Sequence, residues 1–503
     1  MFDSDFEKGR YHPLVLPEYN VPLTIDGLRE IFSSCSDFEV REIAFGLEKN
    51  VRLNVCWLDG IVSGGEVSTS VLRPLTQSAR AGSARDEAQA LAAVLCGAVY
   101  SCSVKQCTAM DETVSALTHG HCAVIFDTLQ TALCFEVRSE NTRAISEPTL
   151  EKALKGAKDS FVETLRTNTA LVRRRICTPK LKLIESTVGR KSGTRVAVMF
   201  IDGVAAPETV KELAARLDAL DIDALLGVGI LEEGIVDAPS SPVPQLIHTE
   251  RPDRFSMYLM DGRVGLLVDG IPVGLVLPVT FAEFMKVTGD ANLHYLVSSV
   301  TAAVRYFSLA LSALLPAFYV AIAMYHQEMI PSRLLLSIIE AKQDVPFSTA
   351  LEVIGMLVAF TLLQEAGLRL PNPIGDTVSI IGALIVGQSA VEARVTSPIA
   401  IIVVALSGIA GYTLPSQDMG SAVRLVRFVL VLAAIAAGLF GVAAASCLIV
   451  FWLARIDSFG TSYTAPLSEA SPGSLSRLLL RKPKTQDKYR DPLLKTPDRR
   501  RQK

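Results

Sequence analysis

"SIIGALIVGQSAVEARVTSPIAIIVVAL", Ser379–Leu406, decides how the last third of this chain folds. Two apolar runs flank Gln388, Glu392 and Arg394, and neither a bilayer nor a dry core tolerates such groups without partners or water. Gln388 and Glu392 are four residues apart, so a helix presents them on one face. Gly375, Ser379, Gly382, Ala383, Val386 and Ala390 recur at three- and four-residue steps, a stripe that lets membrane helices approach closely. The segment therefore reads as a packed membrane helix with one polar face. Gln388 and Glu392 are its ion-path candidates, and Ile381, Leu384 and Ile385 are apolar residues able to close such a path by dewetting. A plainer reading sets Glu392 and Arg394 at the helix end, with Arg394 snorkelling into headgroups.

The surrounding text is equally apolar from about Ser298 to Ile456. A span needs about 20 mostly apolar residues. Ser299–Tyr325 qualifies, with Pro316 as a kink. Ala350–Leu368 is bracketed by Glu352 and Glu365, which join Arg305 as further candidates to line a polar route. Thr377–Val391 and Ser397–Leu414 form a close pair. Arg424–Ile456 suits either one overlong helix or a tight hairpin at Gly438–Gly441. Both termini read as cytoplasmic, so the count should be even, four or six.

Half of the 503 residues are apolar and the mean hydropathy is +0.35, but residues 1–295 interleave charge with apolar residues as soluble proteins do. Two or three domains are expected at this length. The first residues lack the basic and apolar regions of a signal peptide. Net charge is −3, yet the tail from Arg477 to Lys503 carries eleven Lys and Arg against three Asp. That composition predicts a disordered, solvated cytoplasmic tail beside anionic lipid. Nucleic acid is not an expected partner, because Tyr489 alone interrupts the charges. Nine cysteines, odd in number and mostly single within apolar runs, suit a reducing compartment. Cys96, Cys102 and Cys107, with His119 and His121, lack the paired spacing of zinc ligands, so no metal or other cofactor is expected.

The soluble part repeats itself. "VRLNVCWLDGIV" (Val51–Val62) matches "TRVAVMFIDGVA" (Thr194–Ala205), with their Asp-Gly pairs 143 residues apart. "GHCAVIFDTLQTALCFEV" (Gly120–Val137) matches "GRVGLLVDGIPVGLVLPV" (Gly262–Val279) at an offset of 142. Both latter segments read as strand, tight turn, strand. Ala206–Asp221 is an amphipathic helix, and Asp86–Tyr100 is expected in the corresponding place of the first copy. The predicted fold is thus α+β: two duplicated mixed α/β subdomains, 1–145 and 185–290, joined by a helical linker, 146–184. A polytopic helical membrane domain, 296–457, and the basic tail, 458–503, follow.

No catalytic constellation accompanies this fold, and an enzyme is not expected: there is no Walker or dinucleotide glycine loop, nucleophile elbow or H-E-x-x-H. Two charged clusters are interaction candidates. Arg173, Arg174 and Arg175 end the linker helix, either solvated or docked on a neighbouring subunit or lipid. "HTERPDRF" gathers Glu250, Arg251, Asp253 and Arg254 around Pro252, as a binding loop or a structural turn rich in Arg–carboxylate pairs.

Five blocks, "HTERPDRF", "GRVGLLVDGIPVGLVLPVTFAEF", "HQEMIPSRLLLSI", "LRLPNPIGDTVSIIGALIVGQSAVEARVTSP" and "RIDSFGTSYTAPLSE", resemble signature blocks of the GerA family, the A subunits of bacterial spore germinant receptors. "FVETLRTNTALVRRRI" resembles the block opening the family's second subdomain. The resemblance covers roughly residues 20–470. It implies a multi-pass protein of the spore inner membrane with a cytoplasmic N-terminal region and tail. It also implies partners: membrane lipid, further copies of itself (a pentamer in the family picture), a transporter-like B subunit and a lipoprotein C subunit. The family picture is a nutrient-gated cation channel, with Pro373–Ala393 matching the segment assigned to the pore. The paralogous stage V sporulation protein AF is the near alternative, and a non-conducting membrane scaffold the alternative of another class.

Overall fold

The computed structural model describes residues 19, 21–45, 51–77, 85–99, 103–137, 148, 151, 155–369, 387–467, 480–481 and 483–502. They form two compact units. One comprises residues 1–236, 246–278 and 488–503; the other comprises 237–245 and 279–487.

In the first unit α1 (Ile25–Ile31) precedes β1 (Phe38–Phe45) and β2 (Val51–Leu58). A helical run, α2, follows as Gly64–Val67, a π turn at Ser68–Leu72, and Arg73–Gln77. Then come α3 (Glu87–Ala93), β3 (Val104–Cys107), α4 (Met110–Thr118), β4 (His121–Phe126) and β5 (Thr131–Glu136). The second set runs α5 (Leu165–Arg173), β6 (Leu181–Val188), β7 (Thr194–Ile201), α6 (Pro207–Asp218), α7 (Val228–Ile235), β8 (Ile247–Thr249), α8 (Pro252–Asp261), β9 (Val264–Val268) and β10 (Gly274–Leu277).

The sheets have orders β1-β2-β4-β5-β3 and β6-β7-β9-β10-β8, one pattern used twice. Every strand pair is antiparallel, so the sheets are not the mixed ones expected. Alternate residues of β2, β4 and β5 enter two different cores. Leu53, Val55, Val124 and Leu133 meet α2 and α3, whereas Cys56, Ala123, Ile125 and Cys134 meet α1 and α4. A sheet buried on both faces is why these strands read as unbroken apolar runs. Each fully buried Val, Leu or Ile contributes about 1.5–3 kcal/mol.

The duplication reaches single hydrogen bonds. Asp127, in the β4–β5 turn, accepts the amide of Ile25, the first residue of α1, at 2.7 Å. Asp269, in the β9–β10 turn, accepts the amide of Leu165, the first residue of α5, at 3.0 Å. In each case a carboxylate caps a helix start, where backbone N–H groups lack partners. The stretch read as a linker therefore supplies the opening helix of the second copy. Likewise α2 occupies the place after β2 that α6 holds after β7, a place the sequence reading gave to Asp86–Tyr100.

In the second unit α9 (Tyr295–Tyr325) is followed by α10 (Ser332–Lys342), α11 (Thr349–Arg369), a helical turn at 387–392, α12 (Pro398–Tyr412) and α13 (Gln417–Ala454). Among the described residues three helices, in α9, α11 and α13, are long and apolar enough to cross a membrane. The third turns back on itself. Ala437 (φ −144°) and Gly438 (φ 57°) leave helical geometry, and a Cβ on Gly441 would lie 2.1 Å from the carbonyl oxygen of Ala433. Eight residues of straight helix would separate those positions by about 12 Å. Of the two readings of Arg424–Ile456, the hairpin is the one observed. Gly438 lies against Tyr325, whose hydroxyl donates to the Ile435 carbonyl at 2.5 Å. The bundle thus has two ends. One, the base, holds the start of α9 and, after α13, Ser458, whose hydroxyl accepts the Val279 amide. The far end holds α10 and the α13 turn.

Residues 488–502, expected as solvated coil, pack onto α8 and the β7–α6 turn. Arg490 donates to the Met260 carbonyl at 2.9 Å, Arg501 pairs with Asp261, and the Asp498 amide donates to Gly203 O. Gly262 has φ +104°, and a Cβ there would meet Thr496 at 2.3 Å, so this docking requires glycine. Arg490 and Arg501 thus have carbonyl and carboxylate partners, which distinguishes residues 488–502 from a disordered basic segment.

Candidate functional site in the helical unit

Pro316 sits inside α9 and has no N–H for the carbonyl four residues back, Ser312. Arg427 of α13 fills that gap. Its Nε donates to Ser312 O at 2.7 Å, and its Nη2 bonds the Ser312 hydroxyl and the Ser407 carbonyl of α12, the latter at 3.1 Å. Arg427 is 6% exposed, and a Cβ on Gly411 would press within 3.4 Å of it. One guanidinium thus ties three helices using neutral acceptors.

A second polar cluster lies at the far end. Glu352 has a fully buried side chain in the first turn of α11. Its Oε2 accepts the Ser397 amide at 2.8 Å and the Thr396 hydroxyl at 3.4 Å, so it caps the start of α12. Its Oε1 lies 3.2 Å from the ammonium of Lys342, the last residue of α10, which also donates to the Thr349 hydroxyl. Beneath α10 is an open cleft of about 350 Å³ lined by Gln327, Ile330, Leu335, Ile338, Lys342 and Thr349.

The expected ion-path residues are not gathered within one copy. Gln388 and Glu392 lie on the 387–392 turn and both are exposed. Ala390, between them, packs on the bundle core. Two residues on, Arg394 adopts φ +54° and pairs with Asp344 at 2.9 Å at the far end. Glu365 is near the opposite end of α11 from Glu352, next to Gln364, which accepts from Arg424. Arg305 is held near the base by Asp290, at 2.6 and 2.7 Å. Ile381, Leu384, Ile385, Gly375, Ser379, Gly382, Ala383 and Val386 lie outside the described residues.

Nor do the two charged clusters of the first unit form open surfaces. Arg173 is 1% exposed and grips Asp37 with two bonds of 2.6 and 2.7 Å while donating to Leu181 O. Burial disfavours its charge, but Asp37 more than offsets that and the guanidinium titrates above its ordinary value. Arg175 pairs with Asp159, and Arg174 is exposed. Arg251 is equally buried, bonded to Asp253 and to the carbonyls of Glu151 and Ala157. Arg254 pairs with Glu151 and lies over Tyr258, and the Glu250 carbonyl accepts the Phe161 amide. These residues knot Glu151, Ala157 and Phe161 to α8 and the loop before it. Among the described residues no group of three or more His, Cys, Asp or Glu could hold a metal ion.

Sequence reading missed Arg427, Lys342 and Asp37. For Arg427 a signal existed: one arginine well inside an apolar run, facing a proline-broken helix. The profile of the family described as "Bacillus/Clostridium GerA spore germination protein" matches residues 26–493, across both units. The chain belongs to the GerA family. Among its relatives in Bacillus subtilis (strain 168), spore germination protein KA is 33% identical over 94% of this chain and 86% of its own. The membrane protein YfkQ is 33% identical over 92% and 89%. Spore germination protein A1 is 36% identical over 71% and 74%. The N-terminal domain of the A subunit of the Bacillus megaterium spore germinant receptor GerK3 aligns at 29% identity and a TM-score of 0.41, covering 50% of this chain and 92% of that one. As a GerA-family chain with three candidate membrane helices, this is a membrane-associated spore germination protein.

Proposed function

We propose that this chain is the A subunit of a spore germinant receptor and that several copies enclose a nutrient-gated path for cations in the spore inner membrane. The carrying observation is that Gln388 and Glu392 are exposed while, among the described residues, the interior of the bundle is filled. Val320, Val353, Leu357, Val404, Leu430 and Val431 fill that interior, and its polar groups Arg427 and Glu352 are committed to bonds within the chain. A polar route therefore needs a surface shared between copies, where Gln388 and Glu392 form a ring and carboxylates favour cations.

The course of the chain supports an even number of passes. It ascends in α9, returns in α11 to the level of Arg424, and is next met beside Glu352 at the far end. It then descends in α12 and makes the α13 hairpin. On this reading the count is even, four or six, with both termini on the cytoplasmic side. The names of its relatives support a receptor with further subunits; the resemblance makes these a transporter-like B subunit, which would read the nutrient, and a lipoprotein C subunit.

The test is potassium flux from liposomes holding the full chain with its B and C subunits. Gln388→Leu with Glu392→Ala should cut nutrient-triggered flux at least tenfold. Unchanged flux removes these residues from the path, and no flux in the parent protein favours a non-conducting scaffold. The Arg394–Asp344 pair gives that second reading its support, because it places Glu392 close to the bundle end.

A further inference from the structure

We infer that Lys342 and Glu352 form a latch through which α10 positions the turn carrying Gln388 and Glu392; as a regulatory device it rests on the reading above. Buried carboxylates in bundles are stable only when paired and fully bonded. Among the described residues Glu352 has one cation, Lys342, paired with its Oε1, and its hydrogen-bond donors are Thr396 and Ser397, on its Oε2. Those two residues continue directly into the candidate turn. The amides of Val395 and Thr396 both donate to the Ala390 carbonyl, at 2.9 and 3.3 Å, between Gln388 and Glu392. Lys342, Glu352, Thr396, Ala390 and the exposed pair thus form one unbroken chain of contacts.

The element at the head of that chain is loosely seated. Ile338 is the buried residue of α10, while Leu334, Leu336 and Ile339 are 50, 61 and 54% exposed and the cleft opens beneath them. By contrast α9, α12 and α13 are stapled by Arg427. Few buried contacts mark the segments that move at low cost. Drawing α10 outward removes Lys342 and opens Glu352 to water from the cleft that Lys342 lines. Water then replaces the Ser397 and Thr396 donors on the carboxylate, which frees the 393–397 segment and shifts the turn bearing Gln388 and Glu392.

The experiment is hydrogen exchange of the full chain in nanodiscs, read on peptides spanning 393–401, whose Ser397 amide bonds to Glu352. Lys342→Met should speed that exchange at least tenfold, and Lys342→Arg should leave it near the parent rate. Glu352→Gln keeps an acceptor for Ser397 without the charge, so it should be milder than Lys342→Met. The double variant Lys342→Met, Glu352→Gln should return to within about threefold of the parent, since no orphan charge remains. Parent-like exchange in Lys342→Met overturns the latch, as does a double variant as fast as Lys342→Met. Should Lys342→Met fail to insert, fast exchange in Glu352→Gln alone overturns it, because that variant keeps the cap. The same proteins in potassium-loaded liposomes separate the two readings. A basal leak raised tenfold by Lys342→Met supports both. The exchange pattern with no flux in any sample overturns conduction and keeps the latch.

Discussion

Arg173 shows how far a residue's role can lie from its sequence neighbours. Beside Arg174 and Arg175 it reads as one cation of a solvated helix end, yet its partner is Asp37, 136 residues earlier, and it also binds the Leu181 carbonyl. It joins the strand entry of the first copy to that of the second, where the Ser36 amide donates to Leu183 O at 2.8 Å. Arg173→Met leaves Asp37 buried and unpaired, which typically costs about 3–5 kcal/mol. Thermal unfolding of the full chain should show that loss in the first unit. Adding Asp37→Leu should recover most of it, because two apolar groups replace an ion pair with little penalty. A double variant as unstable as Arg173→Met would mean that the Leu181 bond, not the ion pair, carries the effect. Periodicity cannot find such a pair: both residues look like surface charges, and only the fold brings them together.

At the scale of elements, legibility followed the strength of the local signal. The runs that form β2, β4, β5, β7, β9 and β10 were readable because apolar runs ending in turn residues are local, whereas the outer strands β1, β3, β6 and β8 were not read. Segment α2 was not, since "GGEVSTSVLRPLTQ" is rich in glycine, β-branched residues and proline, all poor helix formers. Its π turn and buried Val67, Val71 and Leu75 show that packing on the sheet, not propensity, makes it helical. The helix α9 is the reverse case, a legible span whose break at Pro316 sets a requirement elsewhere. Arg427→Met leaves the Ser312 carbonyl buried without a donor, a cost of about 1–3 kcal/mol. Pro316→Ala restores an N–H to that carbonyl. The double variant Pro316→Ala, Arg427→Met should therefore melt well above Arg427→Met alone, as read by unfolding in detergent. Simple additivity of the two changes would refute the pairing.

The docked tail makes a separate prediction for the first unit. The Arg500 amide, 3.0 Å away, and then Arg490 hold the Asp498 carboxyl below its ordinary value. A depressed carboxyl contributes stability that is present above the unfolded value and lost as pH falls through the folded one. Protease cleavage near Lys495 should therefore rise as pH drops below the usual aspartate range, using an acid-active protease. Asp498→Asn should show that faster cleavage already at neutral pH, where trypsin, which cuts after Lys and Arg, replaces the acid-active protease. Equal cleavage of parent and variant at both pH values would remove Asp498 from the docking.

For the whole molecule, the membrane half was legible in its apolar content and its polar intruders, but not in how copies meet, because that surface is absent from any single chain. The exposed residues nevertheless divide into two kinds. Phe440, 77% exposed, and Leu448, 68% exposed, are apolar and suit lipid, whereas Gln388 and Glu392 are exposed and polar. Lipid offers the latter pair no hydrogen bonds, and on the proposed reading a ring of copies with both residues turned inward hydrates them. In such a ring residue 388 of one copy lies near residue 388 of the next, while the exposed, apolar Phe440 is expected to face lipid. With the exposed Cys96, Cys177 and Cys447 replaced, Gln388→Cys should form disulfide-linked ladders under mild oxidation in native membranes, and Phe440→Cys should not. The control matters, because random collision in a crowded bilayer would link both positions alike. Equal ladders, or none at 388, would place Gln388 against lipid or headgroups, and the shared path would lose its physical basis.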